Sequence, residues 1–443
     1  MEGRIIQLSL CSLLLLASCL RAADNSNAPN ASQPTKILDL LNPPSKADWQ
    51  TLAAYSNTLT RKQFESRLQN IFDSTGALKP FLKISDNCVM VFSSTDANRE
   101  ILAKIDFAAS DEQIKAAPEN FRTLEEFAKT DHSTGQPLAG LRVVIEPADI
   151  GGKWGDMEDR STFYPKFGLI QEGDINLTLG KVLRDKLAKL GANVFLVREN
   201  NEPVSGCQPD DLDPVLDDIL KNRRYLLPES YFFDAGYSTK ITAWQRKVAK
   251  NTLLTKTLEA RARAEAARKH YDADLTIVLQ HNATPRSTYG ALTPINRNIF
   301  FVHGAYMPQE IRKDPEQRYR LLLKLLQNVT PTEIAVAVKI ADQFKQVTGF
   351  PPVLYGNSAS TRMVTGDNLY VVARNIAFNR EHDGPVVVTE PYFMNQQVTL
   401  RRLLAGDFDG SKKISGKDYI SIYREYADCV AKGIVEAYAR KSN

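Results

Sequence analysis

The chain has 443 residues, 43% hydrophobic and 24% charged, a balance that excludes a disordered or collagen-like protein. Lys and Arg number 56 against 52 Asp and Glu, a formal charge of +4, and no basic block with interleaved aromatic residues argues for nucleic acid. The length suits two or three domains at roughly 100–200 residues each, with a core that needs no disulfide staples. The five cysteines form no C-x-x-C pair, so neither a cysteine-rich zinc site nor an iron–sulfur cluster is expected.

Ile5 to Leu16 is an apolar run of signal-peptide length, too short to span a bilayer. It ends Leu16-Ala17-Ser18-Cys19, which resembles the bacterial lipobox with Cys19 as the lipidated residue. An ordinary cleavage near Ala22-Ala23 is the alternative. Residues 1–18 are therefore expected to be a signal peptide, and the mature chain an exported protein of the periplasm or cell envelope, held to the membrane through Cys19 in the first case. Cys88, Cys207 and Cys429 remain, an odd and widely spaced set that predicts no disulfide framework. Residues 19–36 are rich in Asn, Ser, Ala and Pro and read as a flexible tether.

Residues 37–135 read as a small α+β accessory domain, with a helix near Thr60 to Phe72, a strand at Cys88 to Phe92 and a linker at Ser133 to Pro137. From 139 to 441 strands and helices alternate. Leu141 to Ile145, Val194 to Val197, Leu275 to Leu279 and Val386 to Val388 are strand signals. Ile175, Leu179, Val182, Leu183, Leu187 and Leu190 recur at helical spacing, with Gly191 where a C-terminal cap belongs. An Ala- and Arg-rich helix over Leu253 to His270 reads as a solvated face, Thr330-Pro331-Thr332-Glu333 as a capping box opening a helix to Val347, and Asp418 to Ala439 as a final helix. The expected fold is α/β, a mixed and partly parallel sheet flanked by helices, with residues 200–252 and 285–329 as insertions shaping an edge.

In such a sheet ligands bind beyond the carboxyl ends of the strands. Asp149 and His281 follow two strands, Glu390 sits just after a third, and Glu172 lies just before the helix that follows the first. Three carboxylates and an imidazole on one rim suit a hydrolytic metal centre, three groups holding the ion and the fourth acting as general base. Taken singly, Asp149 also suits a turn beside glycines, Glu172 a helix N-terminus, His281 a core position and Glu390 a loop.

Five ordered blocks carry a family resemblance. Val143-Val144-Ile145-Glu146-Pro147-Ala148-Asp149-Ile150-Gly151-Gly152 resembles the VIDPGHGG motif of the zinc-dependent N-acetylmuramoyl-L-alanine amidases (amidase_3 type). Glu172 to Leu177 resembles E-x-x-V-N-L, Gly191 to Arg198 the GA-x-V-x-x-TR strand, Ala273 to Ala283 the ADLFISIHANA strand with one extra residue, and Pro385 to Asn395 the P-x-V-L-V-E-x-G-F-x-S-N block. The resemblance covers Leu141 to Ala439 and implies one Zn2+ held by Asp149, Glu172 and His281, with Glu390 as general base. It implies hydrolysis of the amide between N-acetylmuramic acid and L-alanine of the peptidoglycan stem.

Asp149 stands where the family has its first histidine. An Asp–Glu–His set is formally neutral where His–Glu–His leaves +1, so a weaker Lewis acid follows. A pseudo-amidase that binds cell wall or a wall-remodelling partner without cutting is the alternative expectation. Among other histidines, His132 lies in the linker, His270 in a helix and His382 in a loop, and His303 is the nearest substitute ligand. Asp407-Phe408-Asp409-Gly410 resembles part of a calcium loop but lacks its remaining acids and reads as a turn. Trp154, Phe163, Tyr164, Tyr225, Tyr231, Phe232, Phe233 and Trp244 are candidates for stacking on sugar or peptide, with core packing the alternative.

Overall fold

The computed structural model describes residues 34–118, 121–130, 135–222, 242–284, 290–366 and 368–438. Cys19, the signal segment, His132, Tyr225, Tyr231, Phe232 and Phe233 lie outside the described residues.

A seven-stranded sheet forms the centre. In chain order its strands are β1 (Arg142–Pro147), β2 (Asn193–Leu196), β3 (Leu275–Leu279), β4 (Ile299–Val302), β5 (Arg362–Met363), β6 (Val371–Ala373) and β7 (Val386–Glu390). In space they run β5-β6-β4-β7-β3-β1-β2. The pairs β2·β1, β1·β3, β3·β7 and β6·β4 are parallel, while β7·β4 and β5·β6 are antiparallel. This is the mixed sheet expected.

Side chains of a strand alternate between faces, and here both faces are dry. Val143, Ile145, Ile277, Leu279, Phe300 and Val387 enter one core. Val278, Phe301, Val372, Val386 and Val388 enter a second core on the other face, and Val144 enters a third small cluster. The first core is roofed by helices α1 (Glu172–Lys189), α3 (Thr330–Thr348) and α4 (Ile422–Tyr438). Ile175, Leu179, Leu183 and Leu187 make the buried stripe of α1, and Gly191 takes φ 95° beyond its end, as the spacing predicts.

Four elements differ from expectation. The second insertion does not merely decorate an edge, because Ile299–Val302 within it is β4, an interior strand paired with β6 and β7. The Ala- and Arg-rich segment is a π-turn at Leu253–Leu258 followed by α2 (Glu259–His270), and Glu259 and Arg263 are buried. Their charges satisfy one another, so a polar pattern that reads as solvated face is an internal one. Thr330–Glu333 does open α3, but no side chain caps it. Glu333 instead accepts the N–H groups of His303 (3.0 Å) and Val386 (2.9 Å), joining β4 to β7. The last helix starts at Ile422, because Lys412–Ile414 and Lys417–Tyr419 pair as a hairpin around Ser415 and Gly416, both at positive φ.

The N-terminal region builds a three-stranded antiparallel sheet, Leu82–Ile84, Cys88–Phe92 and Ile101–Asp106. Its core of Leu52, Phe64, Phe72 and Val89 is completed by Leu321, Leu322 and Leu325 from Pro315–Gln327. That helix lies in the second insertion, which packs on the accessory sheet. Phe127 and Leu138 join the main core, so packing is continuous across the boundary drawn at residue 135.

Candidate functional site

Register brings the expected residues to one rim. Pro147 pairs with Leu279 and Leu279 with Thr389, so β1, β3 and β7 end level with one another. Asp149, His281 and Glu390 follow within two residues of those ends. Glu172, the first residue of α1, meets them from the helix that returns across the sheet.

The loop after β1 is fixed from several sides. Asp149 is left-handed, with φ 57°, a conformation Asp tolerates better than most residues. The Glu158 carboxylate accepts the N–H groups of Ile150 (2.7 Å) and Gly151 (3.1 Å). Arg198 donates to the carbonyls of Pro147 (3.1 Å) and Gly173 (2.8 Å), and Asn176 to that of Ala148 (3.0 Å). The start of α1 is pressed so close that a Cβ on Gly173 would lie 2.2 Å from the Gly151 nitrogen. That approach places Glu172 against the strand ends.

Glu172 Oε1 accepts the His281 backbone N–H at 2.9 Å. The His281 Nδ1 lies 2.9 Å from Asn176 Oδ1. The Asn176 amide nitrogen already donates to Ala148, so its oxygen is the acceptor and Nδ1 carries the ring proton. Nε2 is then the bare nitrogen. Burial pushes the His281 pKa down to about 3, so the ring is neutral.

Arg160 stands against two of the rim carboxylates. Its Nε lies 3.8 Å from Asp149 Oδ2 and 3.6 Å from Glu172 Oε2. Burial, reinforced by Asp149, pushes Glu172 up to about 8, with Arg160 and the His281 N–H opposing. Burial pushes Glu390 up to about 7, opposed by Arg374 and Arg160 and reinforced by Asp149. Glu158 rises to about 7 for the same reasons, burial first and Asp149 next. A pocket of about 290 Å³ opens here, lined among others by Arg160, Thr162, Glu172, His281, Tyr355, Arg374 and Glu390.

The donor types suit zinc, but the arrangement does not. Among the described residues no three His, Cys, Asp or Glu side chains are grouped to hold a metal ion. The guanidinium of Arg160 occupies the approach to both expected carboxylate ligands. His303 supplies no substitute. It follows β4, which runs antiparallel to β7, and so sits at the opposite end of the sheet. Both its nitrogens are engaged, by Asn379 at 3.0 Å and Tyr306 at 2.9 Å. His382 is bound to Glu146, and His270 stacks on Phe195. Asp407 and Asp409 pair with Arg424, as a turn would allow. Trp154 and Tyr164 are buried in the core, whereas Phe163 and Trp244 are exposed.

Sequence reasoning missed Arg160, Glu158, Asn176 and Arg374. Asp156-Met157-Glu158-Asp159-Arg160 is a mostly charged run three residues after the paired glycines, which is a signal in itself. Asn176 lies one helical turn after Glu172 and therefore on its face.

No family model and no curated protein matches the sequence. Several solved structures are similar in fold. The CwlD amidase of Clostridioides difficile, solved in complex with the GerS lipoprotein, is 13% identical, with 67% of this chain and 98% of that chain covered and a TM-score of 0.33. The N-acetylmuramoyl-L-alanine amidase AmiC2 of Nostoc punctiforme is 13% identical over 67% of this chain and 97% of that one, with a TM-score of 0.33. The N-acetylmuramyl-L-alanine amidase Ami1 of Mycobacterium smegmatis is 14% identical over 68% and 98%, with a TM-score of 0.35.

Proposed function

We propose that the chain is an exported cell-envelope protein that binds peptidoglycan at this rim, holding the muramyl-peptide amide without metal-assisted cleavage. The five ordered sequence blocks support the choice of ligand. The observation that carries the binding reading is Arg160, whose guanidinium lies against Asp149 and Glu172 where a hydrolytic centre needs a divalent ion. A pocket offering two guanidinium groups, a bare imidazole nitrogen and a carboxyl near neutrality has donors and acceptors for a peptide backbone.

The test is incubation of the mature protein with purified sacculi, followed by sedimentation and chromatography of the supernatant. Co-sedimentation without release of stem peptide is expected, weakened in Glu390→Gln and Arg374→Ala. Absence of binding would overturn the ligand, and catalytic release of peptide would overturn the non-hydrolytic role.

One observation favours a second reading, hydrolysis of the same amide. Glu390 lines the pocket with its carboxyl pushed up to about 7, the range in which a general base works best at neutral pH. In that reading Glu390 takes a proton from the water that attacks the carbonyl and returns it to the L-alanine nitrogen as the C–N bond breaks, Arg160 faces the charge developing on the carbonyl oxygen, and release of stem peptide is lost in Glu390→Gln. Membrane attachment through Cys19 belongs to the same proposal, and labelling with a fatty-acid analogue, lost in Cys19→Ala, tests it.

A further inference from the structure

We infer that Arg160 is the resident cation of the rim: its guanidinium stands within ion-pair range of both Asp149 and Glu172, where a divalent ion would sit, and its presence keeps metal out. The side chains of Asp149 and Glu172 are only 4% and 7% exposed. Two buried carboxylates that feel each other's charge are relieved by a cation beside them as well as by a proton on one. Arg160 is that cation, at 3.8 Å and 3.6 Å.

Its place is fixed by the backbone. The Arg160 N–H donates to the Gly155 carbonyl at 3.0 Å, and its own carbonyl accepts the N–H of Glu172 at 3.2 Å. The hairpin Ser161–Tyr164 and Gly168–Gln171 starts at Arg160 and delivers the chain directly into Glu172. The residue that neutralises and one of the residues neutralised are thus the two ends of one hairpin. Asn176 fixes Nδ1 of His281 and leaves Nε2 bare, the outer-sphere bond that metal-ligating histidines make. The donor types are present but not grouped, and the guanidinium set beside Asp149 and Glu172 is what keeps them from closing on an ion. The Arg160 side chain is 43% exposed, so truncation opens wet space and leaves no dry cavity.

The experiment is zinc titration of the full mature chain, stripped with chelator and dialysed, by calorimetry and elemental analysis. The wild type and Arg160→Lys are expected to bind no stoichiometric zinc. Arg160→Ala is expected to bind one zinc per chain, and the added His281→Ala change to abolish it. Stoichiometric zinc in the wild type, lost in His281→Ala, would overturn the inference. So would an Arg160→Ala protein with native near-ultraviolet circular dichroism that takes up none. If Arg160→Ala does not fold alone, refolding in millimolar zinc decides the matter: recovery supports the inference, and failure in both this variant and Arg160→Gln overturns it. These outcomes do not depend on whether the rim binds peptidoglycan.

Discussion

Replacing Arg263 by Met tests whether the buried charge network holds the site loop. The Arg263 side chain is 1% exposed. It donates to Glu259 Oε2 at 3.0 Å, lies 3.4 Å from Glu146 Oε1, and reaches the carbonyls of Pro147 (3.2 Å) and Asp149 (3.4 Å). Unit charges about 4 Å apart attract by roughly 4 kcal/mol at an effective dielectric constant near 20. Removing one partner of a buried pair costs about 3–5 kcal/mol, because the other charge stays buried. Glu259 keeps three donors, from the Val204 N–H and the Ser205 N–H and hydroxyl, and Glu146 keeps His382. The expected loss is therefore at the lower end, about 3 kcal/mol. Equilibrium urea unfolding followed by circular dichroism measures it, and Arg263→Lys, which keeps the positive charge, should cost less than Arg263→Met. A loss below about 1 kcal/mol, or an Arg263→Lys variant no more stable than Arg263→Met, would refute the network as a determinant of stability.

Other perturbations probe neighbouring parts of the same rim. Glu172 and Glu390 are raised to about 8 and about 7, so the folded chain holds protons that the unfolded chain has released. Their contribution is fully present below the ordinary carboxylate range and is lost as pH rises through those values, so stability should fall between about pH 4.5 and 8. Glu172→Gln and Glu390→Gln should each flatten that fall in urea midpoints measured across pH, and an unchanged slope would contradict the assignment. Gly173→Ala should destabilise by at least about 1–3 kcal/mol, since the new Cβ meets the Gly151 nitrogen at 2.2 Å and backbone cannot yield as a side chain does. A thermal midpoint equal to wild type would refute that close approach. Asp274→Ala should cost about 3 kcal/mol, because buried Asp274 accepts backbone N–H groups of both Arg122 (2.8 Å) and Arg142 (2.9 Å), and the variant should become sensitive to protease near residue 122.

Four of the seven strands of the main sheet were legible because Val, Ile and Leu runs bounded by polar residues have few other destinations, whereas β4, β5 and β6 were not, being two to four residues long and set among loop-like segments. The four chemical residues were legible because strand ends and a helix start are visible in periodicity, and the register then carries them to one rim. What stayed hidden has physical causes. Arg160 lies in a segment without periodicity, and its role depends on where a turn aims one side chain. Glu259 and Arg263 look like solvent-facing charges in sequence, since pairing inside a core leaves no mark on local pattern. Glu333 has the spacing of a capping residue, yet it bonds two strands, because tertiary donors outcompeted the helix end.

The rim's charge balance separates the two functional readings more sharply than its shape does. Glu172 and Glu390, raised to about 8 and about 7, are largely or partly protonated at neutral pH. Asp149 then faces one guanidinium at 3.8 Å, and Arg374 remains opposite Glu390. A site so close to neutral has little field with which to polarise a carbonyl or acidify a water. It can still exchange hydrogen bonds with an uncharged amide at small desolvation cost. Losing Arg160 would reverse this, since the buried carboxylates would then need either protons or a metal ion. The same substitution should therefore tighten zinc and loosen the wall peptide, and a variant that gained both would show that Arg160 takes no part in holding the peptide.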